Sequence, residues 1–84
     1  MPYINQAERE LVNPALNELL KIRLIGPGIA NYVVTRFLAG TMDTTSYRGI
    51  NEIIGVLECA KLEFYRRVAA SYEDQKIQEN GDVY

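Results

Sequence analysis

Apolar residues recur every three or four positions along most of the chain, which is the spacing of one face of an α-helix. The longest such pattern contains no proline and runs from about Ser46 to Tyr72. It predicts a long helix, whose first turn Thr44, Thr45 or Ser46 can cap. The apolar stripe of that helix consists of Ile50, Ile53 or Ile54, Leu57, Ala60 or Lys61, Phe64 and Val68.

Two shorter helices are predicted before residue 25. Asn5 and Glu8 have the spacing of a capping box, which favours a helix over about 6–12. Pro14 suits the first position of a second helix, because its missing N–H would have no partner there. The apolar positions of this second helix extend to Ile22 or Leu24.

The strongest break in the chain is the Gly-Pro-Gly sequence at 26–28. The residues 29–38 that follow have a helical apolar period, although 32–35 are rich in residues that favour strands. The helical interpretation is preferred, and Gly40 is then predicted to cap the end of this helix.

The predicted fold class is all-α, with short N-terminal helices packed on one long C-terminal helix in a helical oligomer. A helix over 46–72 is about 40 Å long, whereas a compact 84-residue domain measures roughly 30 Å across. The long helix is therefore expected to pair with a copy of itself in a dimer or a higher oligomer, although a kink at Gly55 would be an alternative. Gly49 and Gly55 are expected to allow close approach of a backbone. The predicted oligomer interface consists of Ile50, Ile54, Gly55, Leu57 and Phe64.

The charge of the chain is unevenly distributed. The net charge is −2, and the last twelve residues carry four acids and one base, hence −3. The first 72 residues therefore carry +1. We expect one helical domain over 1–72 and an acidic tail over 73–84 that is solvated and partly disordered. Alternatively, apolar residues of the tail such as Tyr84 dock on a neighbour.

Composition excludes most catalytic chemistry. The chain has no His and a single Cys, which argues against His-based acid–base catalysis, Cys–His nucleophiles and zinc sites. We expect no enzymatic activity, no metal and no cofactor. Cys59 is interpreted as a small buried residue of a protein in a reducing compartment. Without a signal peptide or an apolar span, the chain is expected to be cytoplasmic and away from membranes.

Polar residues within the apolar helices are the candidates for binding. Tyrosine can stack on a planar ring, and arginine can hold a phosphate through paired N–H donors. Contacts between subunits are the preferred interpretation for most of these residues, because both residue types are favoured at protein interfaces. The candidate ligand-binding residues are Tyr32, Arg36, Tyr47, Arg48, Asn51, Tyr65, Arg66 and Arg67.

Four segments of the chain resemble a family of small uncharacterised proteins encoded in tailed-phage genomes and in bacterial or metagenomic sequences. These segments are MPYI (1–4), NYVVTR (31–36), INEIIGVLECAKLEFYRRV (50–68) and ENGDVY (79–84). The resemblance implies a phage-type accessory protein and assigns no functional residue, because no activity is known for the family. If the protein is phage-encoded, its compartment is the host cytoplasm.

Three functions follow as hypotheses. The first is a non-enzymatic oligomeric binding module that sequesters a small anionic ligand, such as a nucleotide immune signal, and so counters host defence. The second is a protein-interaction or structural adaptor that binds a host or phage protein, with the acidic tail and Tyr84 as its working surface. The third and weakest is association with DNA, because a body of charge +1 has no sustained basic face.

Overall fold

The computed structural model describes residues 3–23 and 25–84. Within these residues the regular structure is entirely helical, which confirms the all-α fold class. The elements are α1 (Gln6–Leu19), α2 (Pro27–Thr41), α3 (Tyr47–Phe64), a π-helical turn (Tyr65–Ala69) and α4 (Ala70–Asn80). The chain forms two compact units, residues 1–41 and 42–84. Packing of the N-terminal helices on the long one stays a prediction, and Leu24 lies outside the described residues.

Helix α1 is one helix where two were predicted. The capping box at its start is confirmed: the Glu8 N–H donates to Asn5 Oδ1 at 2.9 Å, and the Asn5 N–H donates to Glu8 Oε2 at 3.2 Å. The prediction of a restart at Pro14 was wrong, because the helix continues through this residue to Leu19. A proline inside a helix removes one backbone hydrogen bond, to the carbonyl four residues earlier. The turns on either side retain their own bonds, so the helix is not interrupted.

Helix α2 confirms the helical interpretation of residues 29–38. It begins at Pro27, whose fixed φ suits a first helical turn. Gly40 lies inside the helix without a positive φ, so the prediction that it caps the helix was wrong. The helix ends one residue later at Thr41, whose hydroxyl donates to the Phe37 carbonyl at 2.6 Å. A side chain thus satisfies a carbonyl of the last turn, where glycine was expected to end the helix.

The predicted long helix is present and extends further than expected. Helical residues are continuous from Tyr47 to Asn80, so the helix crosses Tyr72, where the acidic tail was predicted to begin. It ends at Gly81, which has a φ of 87°, a conformation that glycine adopts without strain. Residues 73–80 of the predicted tail are therefore helical, and the last four residues follow without regular structure.

A π-helical turn interrupts the α-helical period within this long run. The Ala70 N–H donates to the Tyr65 carbonyl, five residues earlier, where an α-helix bonds residues four apart. Such a turn shifts the faces of the helix that follows it. The predicted stripe requires one unbroken α-helical period up to Val68. Its residues therefore share one face only as far as Phe64, the last residue before the π-helical turn.

Few apolar side chains of the described residues are buried. Leu38 on α2 is the one buried hydrophobic residue among them, at 7% exposure. Large apolar residues on all four helices are exposed instead, Leu11, Phe37, Ile54 and Tyr72 among them. No helix within the described residues is both long enough and apolar enough to cross a membrane.

Candidate functional site

The main candidate surface is an apolar line along α3, which we call the seam. Its six residues are Tyr47, Ile50, Ile54, Leu57, Lys61 and Phe64. They are separated by steps of three and four residues in strict alternation, which is the a and d spacing of a coiled coil. The five apolar members are all exposed, from 40% for Leu57 to 83% for Tyr47. The seam thus has the spacing of a helix-packing surface, and its side chains are solvent-accessible in the single chain.

The start of the seam is fixed by a short polar loop, residues 43–46. The Ser46 hydroxyl donates to Asp43 Oδ2 at 2.6 Å, and the backbone N–H and hydroxyl of Thr45 both donate to Asp43 Oδ1, at 2.8 and 2.7 Å. Ser46 Oγ in turn accepts the Gly49 N–H at 3.0 Å. Ser46 is thereby confirmed as the N-cap, chosen from the three candidates. Every contact in this loop comes from a near neighbour in sequence.

The same hydrogen bonds change the acidity of Asp43. The Ser46 hydroxyl first, and then the two Thr45 donors, lower the pKa of Asp43 from 3.8 to about 2. Hydrogen bonds to a carboxylate favour its charged form. Asp43 therefore remains ionised and holds the loop throughout the neutral and mildly acidic range.

Gly49 fits tightly against this loop. A Cβ at position 49 would lie 2.8 Å from Asp43 Cβ and 2.9 Å from its carbonyl carbon, and closer still to the carbonyl oxygen. The expected close approach of a backbone is confirmed here, and the backbone belongs to the chain's own loop. At Gly55, by contrast, a Cβ would meet nothing within 4 Å. In the single chain the two glycines therefore have different roles.

Four of the five predicted interface residues lie together on the seam. These are Ile50, Ile54, Leu57 and Phe64. Gly55 does not join them, because at 100° per residue it lies about 100° from Ile54 and about 160° from Leu57. Helix α3 continues through Gly55, and the alternative of a kink at this residue stays a prediction.

Six of the eight candidate ligand residues lie on the long helix, in two groups. Tyr47, Arg48 and Asn51 occupy the first two turns of α3, and Tyr65, Arg66 and Arg67 belong to the π-helical turn. The groups are about 21 Å apart from Asn51 to Tyr65, at 1.5 Å per residue. No single copy brings both groups to one site.

The two groups contain a repeat that the sequence analysis missed. A Tyr-Arg pair occurs at 47–48 and again at 65–66, an interval of 18 residues, which is five α-helical turns. The two pairs therefore begin on the same side of the helix, about 27 Å apart along its axis. The signal was the spacing itself, which becomes meaningful once both pairs belong to one continuous helix.

Ion pairs along the helix engage some of the charged candidates. Arg48 Nε lies 3.3 Å from Glu52 Oε1, and Arg67 Nη1 lies 3.5 Å from Glu63 Oε1. Lys61 of the seam lies 3.0 Å from Glu58 Oε1 by its Nζ. Exposed pairs of this kind contribute about 0–1 kcal/mol each, so a ligand or a partner can displace them at little cost.

The other two candidates are on α2. Tyr32 and Arg36 are four residues apart and so share one face of that helix, and Tyr32 is 66% exposed. They belong to the first unit of the chain, whereas the other six belong to the second. Binding of an anion by any of the eight residues stays a prediction.

Cys59 corrects a further expectation. It is exposed, where a buried small residue was predicted. Cys59 shares this exposure with apolar residues on both sides of the same helix, such as Leu57 at 40% and Leu62 at 56%, so a place in an apolar pattern does not bury it in the single chain. Within the described part of the chain, no cluster of three or more acidic, Cys or His residues could hold a metal ion.

Comparison with known proteins identifies the family of the chain. No curated protein and no solved structure matches the sequence significantly. One family model, described as "Domain of unknown function (DUF6899)", matches residues 1–83. The match covers nearly the whole chain, including the seam, both Tyr-Arg pairs and the loop at 43–46. The chain therefore belongs to the family described as Domain of unknown function (DUF6899).

Proposed function

We propose that this protein is a non-enzymatic helical interaction module that assembles with itself through the seam of α3. The observation that carries the proposal is the row of five exposed apolar side chains at coiled-coil spacing. Exposed apolar surface of this extent and regularity is typical of an interaction site. A helix packed along the seam would bury these side chains, which are exposed in the single chain.

The experiment compares two leucines of the same helix. Leu57 belongs to the seam, and Leu62 lies about 140° around the helix from it; both are exposed, at 40% and 56%. Leu57→Glu places a charge in the proposed interface and is expected to weaken assembly by more than about 100-fold. Leu62→Glu makes the same chemical change on the other side and is expected to leave assembly within about threefold.

Molar mass in solution, measured over a dilution series, distinguishes the two variants. Circular dichroism of both shows whether each remains helical. Equal loss of assembly in the two variants, or no assembly in the unmodified chain, would contradict the proposal.

A second candidate function is binding of a small anionic ligand with a planar ring, such as a nucleotide. The observation that favours it is the pair of Tyr-Arg sequences on one side of the long helix, with Tyr65 54% exposed and Tyr47 83% exposed. In this function, a phage-encoded accessory protein would sequester a host signal in the cytoplasm. Its residues would come from more than one copy, so this candidate depends on the assembly proposed above.

Thermal shift against a panel of nucleotides tests this second candidate. A ligand present at 100 times its Kd stabilises the folded state by about 2.7 kcal/mol, a rise of several degrees in Tm. Arg66→Gln should abolish the rise, whereas Arg23→Gln, an arginine outside the candidate set, should retain it. Shifts below about one degree for every nucleotide would exclude this function at the concentrations used.

A further inference from the structure

The apolar side chains of the seam are exposed in the single chain, and a second copy carries the same apolar surface to cover them. All five apolar side chains of the seam are exposed, from 40% for Leu57 to 83% for Tyr47. We infer that the seam is covered by a second copy of this chain running antiparallel to the first. This inference rests on the proposed function and specifies its geometry.

The spacing of the seam residues is the same read in either direction, so two antiparallel copies can align all six positions. If the pair is centred between Ile54 and Leu57, each of these faces the other residue on the partner. Tyr47 then faces the second copy's residue 64, an aromatic ring against an aromatic ring, which is a favourable packing. Ile50 faces the second copy's residue 61, so all six seam positions are matched in one register.

Lys61 favours this direction over the parallel one. In a parallel pair, position 61 of one copy meets position 61 of the other, and two ammonium groups share one layer of the seam. In the antiparallel pair each Lys61 lies against the aliphatic side chain at position 50 and can extend its charge toward Glu58, its neighbour at 3.0 Å. The lysine thus acts against the parallel alternative.

The end of the chain adds a second electrostatic argument. Residues 73–84 carry −3, and residues 73–80 are helical. A parallel pair would hold two such segments side by side, and like charges at that distance repel. The antiparallel pair places them at opposite ends.

Antiparallel pairing also brings the Tyr-Arg repeat together. In the register above, position 47 lies level with position 64 of the second copy. The pair at 47–48 is therefore within one turn, along the axis, of the pair at 65–66 on the other copy. By twofold symmetry the dimer has two such groups, each with two tyrosines and two arginines from different copies. In a parallel pair the two groups stay about 27 Å apart.

Distance measurement between spin labels tests the direction without altering the seam. The label is attached at position 73 in the variant Glu73→Cys with Cys59→Ser, because residue 73 lies well beyond the seam. In the antiparallel pair the two labels are about 50 Å apart, since each is 17.5 residues from the centre. In a parallel pair they are level and, with helix axes 8–10 Å apart, closer than about 25 Å.

Molar mass measured on the same samples separates the possible failures. A dimer with labels about 50 Å apart supports the inference, and a dimer with labels under about 25 Å overturns the direction while the proposed function stands. A shift of the pairing register by one heptad changes the expected distance between the labels by about 10 Å. The measured distance therefore also identifies the register of the antiparallel pair. A mass of one chain at all concentrations overturns both the inference and the proposed function.

Discussion

The loop at 43–46 and the seam of α3 that follows it differ in how far the chain itself supplies their contacts. In the loop 43–46 and the turn that follows it, polar atoms bond to one another at 2.6–3.0 Å over two or three residues of sequence. Along the seam, which begins at Tyr47, apolar side chains at the same spacing as a coiled coil remain exposed. The loop is therefore complete within the chain, and we propose that a partner completes the seam.

The difference separates contributions to stability that come from neighbours in sequence from those that need another surface. A capping loop needs only its neighbours in sequence, so its contribution to stability is independent of protein concentration. Burial of an apolar seam needs a surface from elsewhere, and if that surface is a second copy, its contribution rises with concentration. Variants of the two regions should therefore differ in how their stability changes with dilution.

The largest effect on the loop is expected from Gly49→Ala. The added Cβ would lie within 2.9 Å of three Asp43 atoms, and overpacking of this kind costs about 1–3 kcal/mol. Gly55→Ala is the matched control, because its Cβ meets nothing within 4 Å, and it should stabilise the helix by about 1 kcal/mol. Urea unfolding at two protein concentrations measures both, and effects of the same sign would contradict the comparison.

Lys61→Leu sharpens the description of the seam. Replacing the one charged residue of the seam should strengthen assembly by about tenfold. The variant should also lose the preference for antiparallel over parallel helices. Lys21→Leu is the control, because Lys21 pairs with Glu18 at 2.8 Å three residues away, much as Lys61 pairs with Glu58 at 3.0 Å. Sedimentation measures the dissociation constant of both variants and of the unmodified chain. Weaker or unchanged assembly in Lys61→Leu would show that position 61 lies outside the interface.

Ser46→Ala removes the N-cap of α3. The Gly49 N–H loses its acceptor at 3.0 Å, and the expected loss of stability is about 1 kcal/mol. Ser71→Ala makes the same change inside the helix, where alanine is the better helix former, and should stabilise slightly. Thermal unfolding followed by circular dichroism gives the Tm of each variant. Equal Tm values for Ser46→Ala and Ser71→Ala would show that the cap does not stabilise the fold.

The smallest effect is a dependence on pH at the loop. The pKa of Asp43 is lowered from 3.8 to about 2, so its ionised form stabilises the fold above pH 3.8. This contribution is lost as the pH falls from about 4 to about 2. Asp43→Asn should be less stable than the unmodified chain at neutral pH, with the difference shrinking over this interval. A difference that stays constant down to pH 2 would argue against the ionised carboxylate.

Much of the fold could be predicted from periodicity and caps. The capping box at Asn5 and the cap at Ser46 act over three residues, so sequence alone locates them. The end of the long helix could not be placed, because charge and composition changed at Tyr72 while helix-compatible residues continued to Asn80. Pro14 is ambiguous in sequence, because a proline suits the first position of a helix and yet costs the interior of a continuing helix only one backbone hydrogen bond.

The candidate site was predictable in its apolar part and not in its polar part. Ile50, Ile54, Leu57 and Phe64 follow from a seven-residue repeat, which any continuous helix brings to one face. Which polar residues converge depends on the π-helical turn and, in the proposed assembly, on a second chain, and neither has a local signal in the sequence. Gly49 and Gly55 looked alike for the same reason, since only Gly49 has a loop folded against it.

Sedimentation equilibrium of the unmodified full-length chain, from low micromolar to about 1 mM, tests self-assembly most directly. Assembly through the seam predicts a mass of about 19 kDa, twice the 9.5 kDa of one chain, that falls toward one chain on dilution. A mass of 9.5 kDa at every concentration would contradict it.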